Sequence, residues 1–162
     1  MRASSITTVV ILLQGCFADR TRRAPLSAAD GQRAPALEWL LRNNVDLSSH
    51  LTLCVDVGGQ YLTDPREQPS AALLAPYQGH PAAVLPSDSC GPATPAPGAS
   101  HIQAHRDSVW VSIGPALALS DSTALVDAGL WRGPLAAKFY RCRIVLRQHV
   151  WHLVNCYLAG IS

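Results

Sequence analysis

Residues 136–158 constrain the fold more than any other stretch, because both halves of the segment alternate with period two around two cysteines. Along 138–146 the even positions Tyr140, Cys142, Ile144 and Leu146 are apolar, while Arg141, Arg143 and Arg147 occupy odd positions. On the return limb Val154, Cys156 and Leu158 are apolar at even positions, with Asn155 and Tyr157 between them. Such alternation marks strands with one buried and one wet face. With a loop at Gln148-His149-Val150, each inward residue of one limb lies opposite an inward residue of the other, and Cys142 faces Cys156. A slip of one residue would turn every side chain to the wrong face. The register therefore predicts a β-hairpin with a Cys142–Cys156 disulfide, and a disulfide implies an oxidising compartment.

Upstream, 36–45 places Leu37, Leu40, Leu41 and Val45 at helical spacing, with Pro35 suited to a first helical position and Asn43-Asn44 to a stop. A short amphipathic helix is expected there, with Trp39 covering the edge of the core. Residues 51–57 alternate and end at Gly58-Gly59, which reads as a strand. A helical turn within 69–77 and a second strand over 81–85 follow. This strand, helix and strand bring Cys54 and Cys90 to one region. Residues 91–100 hold Pro92, Pro95 and Pro97 among small residues and read as an exposed loop. The segment 108–113 is again a strand, broken at Gly114-Pro115 and resuming over 116–119. Pro115 cannot donate to a ladder, so it marks an edge or a bulge. Two more turns, Ser120-Asp121-Ser122 and Trp131-Arg132-Gly133-Pro134, flank a strand over 123–130. The expected class is α+β: a short N-terminal helix and a small α/β part, then a C-terminal antiparallel meander of about four strands.

The N-terminal residues 1–18 combine Arg2 with the apolar run Ile6-Thr7-Thr8-Val9-Val10-Ile11-Leu12-Leu13 and then small residues. That run is too short for a bilayer core of about 30 Å, which takes roughly 20 apolar residues, and has the layout of a signal peptide. Residues 19–34 lack periodicity and are expected to form a tether, leaving 35–162 as one domain. At the end of the apolar run, Leu13-Gln14-Gly15-Cys16 resembles the lipobox of bacterial lipoproteins. The resemblance implies removal of the leader, a lipid on Cys16, and attachment to a membrane at the cell envelope. Cleavage after Ala18, giving a secreted protein, is the alternative. The helix-then-sheet order looks like cystatin-like or nuclear-transport-factor-like folds. Tyr140, Cys142, Ile144 and the Trp151-His152-Leu153-Val154 strand are similar to the closing strands of small exported bacterial proteins.

Both cleavage readings leave Cys54, Cys90, Cys142 and Cys156 in the domain, an even number that suits two disulfides in an exported chain. Four cysteines allow three connectivities; the hairpin register favours Cys142–Cys156, leaving Cys54–Cys90. A net charge of +2, with no basic stripe, points away from nucleic acid as a partner. His101 and His105 are four apart, a spacing that puts both on one face of a helix as metal ligands, but no third ligand stands at a diagnostic distance. Cys90 with His101 or His105 as base would make a nucleophilic pair, the basis of an alternative reading as an exported hydrolase or metal-binding protein. With no hydrolase elbow, phosphate loop or zinc-protease motif, the leading expectation is a non-enzymatic envelope protein without a cofactor. It binds or scaffolds a protein or small-molecule partner.

Overall fold

The computed structural model describes residues 25–44, 51–58, 67–90, 108–132 and 136–162. Its first element is a 17-residue helix, α1 (Ala28–Asn44). Leu37, Leu40 and Leu41 of the expected stripe are buried, together with Ala36, while Val45 lies outside the described residues. The start was misplaced: residues 28–34, expected in the tether, are the first turns of the helix. Two polar contacts explain this. The Asp30 backbone N–H donates to Ser27 Oγ (3.1 Å), which caps the helix, and the Ser70 hydroxyl donates to the Asp30 carboxylate (2.8 Å). Pro35 consequently lies inside the helix, where it has no N–H to offer the carbonyl of Gly31 one turn earlier.

Six strands form one sheet: β1 (Thr52–Val57), β2 (Ala83–Pro86), β3 (Ser108–Ser120), β4 (Thr123–Trp131), β5 (Ala137–Arg147) and β6 (Val150–Ile161). Their order is β2-β1-β3-β4-β5-β6, with β2, β1 and β3 parallel and the rest an antiparallel meander. The connection from β1 to β2 carries the short helix α2 (Ala71–Leu74) and a 3-10 turn at Ala75–Tyr77. The α+β class and the four-stranded meander are thus present. Insertion of β1 beside β3, which merges the two parts into one mixed sheet, was not foreseen.

Insertion changes what β1 must satisfy. Leu53, Val55 and Val57 face α1, yet Cys54 and Asp56 on the other side are buried too. A strand flanked on both sides by parallel neighbours is commonly covered on both faces. Gly114-Pro115 is a bulge in the β3–β4 ladder, and it lies just past Ile113, where pairing with β1 ends and the other side of β3 becomes an edge. Pairing shifts between Ile113 and Ala116, and Pro115 points outward, so its missing N–H leaves no gap in the ladder.

The terminal hairpin is tighter than the three-residue loop expected. Gln148 and His149 have φ of 49° and 65° and form a two-residue turn. Two consecutive residues at positive φ match the right-handed twist of a hairpin. β6 then takes up an extra residue at Val154, between the pairs Ile144–Leu153 and Arg143–Asn155, which restores the register and sets Cys142 opposite Cys156. A second shift lies between Phe139 and Tyr140.

Helix α1 lies across one face of the sheet. Leu37, Leu40 and Leu41 pack there with Val55, Val111, Ile113, Val126 and Ile144, and each fully buried side chain of this kind contributes roughly 1.5–3 kcal/mol. The opposite face has a smaller cluster of Cys54, Trp110, Trp131 and Ala137, against which Cys90 and Phe139 pack. The rings of Trp131 and Phe139 meet edge to face, with centroids 5.4 Å apart.

Candidate functional site

All four cysteines of the described residues are engaged in disulfides. Cys54, in the middle of β1, is joined to Cys90 at the end of the 3-10 turn Ser87–Cys90, with Cα atoms 6.0 Å apart. Cys142 and Cys156 are joined across β5 and β6, with Cα atoms 4.0 Å apart. With its sulfur bonded to Cys54, Cys90 has no thiolate, which a nucleophilic mechanism requires. His101, His105 and Cys16 lie outside the described residues. Among the described residues no group of three or more His, Cys, Asp or Glu side chains is placed to hold a metal ion. No described helix is long and apolar enough to cross a membrane.

What the fold does build is a groove of about 740 Å³ between α1 and the hairpin end of β6. Its walls include Leu26, Pro35 and Trp39 on the helix side, and Trp151 and Leu153 on the strand. Gly31 faces the Trp151 indole, and a Cβ there would sit 3.9 Å from Cδ1, an ordinary contact, so the ring does not depend on the glycine for space. Trp39 meets Tyr140 edge to face at 5.1 Å, and the Tyr140 hydroxyl donates to Asn44 Oδ1, fixing the helix end over β5. Burial raises the pKa of Tyr140, which further favours the protonated hydroxyl that makes this bond. Glu38 is ion-paired with Arg42 one turn later, at 2.7 Å on the exposed helix surface. Exposed pairs of this kind contribute little to stability.

Two smaller cavities flank the groove. One, of about 460 Å³, touches Leu41, Leu73, Tyr77 and His80. Burial, reinforced by the Glu38 carboxylate, pushes the Tyr77 hydroxyl up to about 12. The other, of about 550 Å³, is rimmed by Arg132 and Lys138, and Arg132 Nη2 donates to the Asn44 carbonyl at 3.2 Å, capping the end of α1.

On the sheet face away from α1, Arg141 holds Asp127 in a two-pronged pair, Nε to Oδ1 at 2.7 Å and Nη2 to Oδ2 at 3.0 Å. That bonding raises the affinity of the guanidinium for its proton. Arg143 and Arg147 lie on the same face of β5 and are exposed.

Sequence reasoning placed Trp39 at the edge of the core and assigned Trp151 no role; the structure makes both of them groove walls. A signal was there to read. Trp151 and Leu153 are apolar at odd positions while Cys156 and Leu158 are apolar at even ones, so the phase of β6 reverses where the bulge lies.

Fold and site together define a disulfide-linked α+β domain, a helix lying across a six-stranded mixed sheet with an aromatic-walled groove along one side. The sequence matches no family model, no curated protein and no solved structure.

Proposed function

We propose that this protein is an exported, non-enzymatic binding domain of the cell envelope, held at a membrane by a lipid on Cys16. The observation that carries the reading is the use of all four described cysteines as two covalent links, one tying β1 to the 3-10 turn after β2 and one within the meander. Bonds of this kind persist in oxidising compartments and are rare in reducing ones. The charged, apolar and cysteine-ended order of residues 1–18, with its lipobox-like Leu13-Gln14-Gly15-Cys16, supports export and the anchor. The groove beside α1 supports binding, since a large concave surface with aromatic walls and a few polar groups suits recognition. Its partner is a protein segment or a small molecule, and no cofactor enters the reading. A likeness to cystatin-like or nuclear-transport-factor-like domains belongs to the same proposal and rests on a helix laid across an antiparallel meander.

Intact mass of the protein isolated from its native membrane fraction, with and without reductant, tests this. The expected result is a chain beginning at Cys16, heavier by an acyl modification, that gains the mass of two hydrogens for each of two bridges on reduction. A soluble chain starting at Met1 whose mass is unchanged by reductant would overturn it.

A further inference from the structure

β6 is the outermost strand of the sheet, and among the described residues no strand pairs with its outer side. It runs for 12 residues without a single Asp, Glu, Lys or Arg. Stable edge strands are ordinarily kept short or blunted by charge, proline or bulges. Here only the two register shifts serve that end, and Val154, Tyr157 and Leu158 stay 51%, 50% and 54% exposed. The groove lies beside this edge, because α1 stands over the face that carries Trp151 and Leu153. A segment hydrogen-bonded along β6 would send alternate side chains into the groove and the intervening ones onto the opposite face.

The two destinations differ in chemistry. The groove walls are apolar at Leu26, Trp39, Trp151 and Leu153, and the charge of Glu38 is already met by Arg42. On the opposite face Arg143 and Arg147 have no acidic partner among the described residues, Asp127 being held by Arg141. Strands are spaced about 4.8 Å apart, so the backbone of a strand beyond β6 would lie roughly 10 Å from β5, just past the screening length of about 8 Å at physiological salt, and it is the reach of the long arginine and glutamate side chains across β6 that brings the charges within it. A second copy of β6 would bring no carboxylate to those arginines.

We propose that β6 and the groove take up an extended polypeptide segment as an added strand, its apolar residues directed at α1 and acidic residues alternating with them over Arg143 and Arg147. This deepens the binding half of the function proposed above and does not depend on export.

The test uses the oxidised protein and three fluorescein-labelled decapeptides: alternating valine and glutamate, alternating valine and lysine, and alternating serine and glutamate. Fluorescence anisotropy should show the valine–glutamate peptide bound most tightly and each of the others at least about tenfold weaker. The exposed double variant Arg143→Glu, Arg147→Glu should reverse the order of the two valine peptides, with its melting curve confirming that the fold is kept. Hydrogen exchange should show new protection confined to the amides of 150–157. Equal binding of the two valine peptides, or binding indifferent to the charge reversal, overturns the proposal. So does a dimer in sedimentation without peptide whose β6 amides are protected, which would assign the edge to a second copy. Failure of the peptide arm with the mature, bridged protein found in the envelope removes this inference alone; the reverse outcome removes only the export reading.

Discussion

Replacing Gly129 by alanine puts a methyl group against the indole of Trp131, two residues on and on the same face of β4. A Cβ built at Gly129 lies 2.7 Å from Cζ3 and 3.1 Å from Cζ2 of that ring, and closer still to Cη2. Neither side gives way easily. Gly129 is clamped between Ser112 on β3 and Phe139 on β5, and Trp131, 8% exposed, packs edge to face on Phe139 in the cluster with Cys54 and Trp110. Removing a glycine from the unfolded ensemble favours folding by about 0.4–1 kcal/mol. Overpacking a filled site costs about 1–3 kcal/mol, and a displaced ring loses up to about 1.5 kcal/mol of aromatic pairing. The clash wins, and Gly129→Ala should destabilise by about 1–3 kcal/mol. For a chain of this length that lowers Tm by about 2–4 °C per kcal/mol, read by circular dichroism, with loss of near-UV signal from the tryptophan. In a Trp131→Leu background the added methyl has room, so the same substitution should be neutral or stabilising. An alanine variant as stable as the parent, or one equally costly in both backgrounds, would refute the reasoning.

Pro35→Ala restores a donor to the Gly31 carbonyl and should stabilise the protein by about 1–3 kcal/mol in urea unfolding, short of the full cost of an interior proline because the helix has already adapted to it. Tyr77 ionises near 10.0 when unfolded and near 12 when folded, so its contribution is complete below pH 10 and is lost as pH rises towards 12. After discounting for partial exposure, the parent should lose about 1–2 kcal/mol more than Tyr77→Phe across that window in denaturant titrations. Removing Cys54–Cys90, which spans 36 residues, should cost about 4 kcal/mol in the chain-entropy account, against about 3 kcal/mol for Cys142–Cys156, which spans 14. Paired alanine variants compared at equal denaturant test that order.

The readable parts of this fold were those specified by local pattern. The stripe of Leu37, Leu40 and Leu41, the alternation of β5 and the proline-marked bulge in β3 all need only nearby residues. The true start of α1 was hidden because part of its anchoring is remote: Asp30 is held by Ser70, 40 positions away. The alternation of 51–57 sets Cys54 and Asp56 apart from Leu53, Val55 and Val57 but does not show that both sets are buried, since nothing local to β1 announces that β3 will lie beside it. The turn was misjudged by one residue because alternation in 154–158 was extended back through a bulge. The groove as a concavity was not legible, as it exists only where α1 crosses β6; its strand wall alone was marked, by the change of phase at Trp151 and Leu153. The alternative that paired Cys90 with His101 or His105 loses its thiolate to the Cys54–Cys90 bridge that the even cysteine count already favoured, and both histidines lie outside the described residues.

The mixed pairing of β3 has a kinetic side. With β4 it closes through the two-residue turn at Asp121-Ser122, whereas its other neighbour, β1, is 56 positions away at Thr52–Ser108. Local ladders zip quickly and remote parallel ones wait on slow loop closure. Pulse-labelled refolding is therefore expected to protect the amides of β4–β5 before those of β1, leaving the sulfur of Cys54 accessible to mispairing for as long as β1 is undocked.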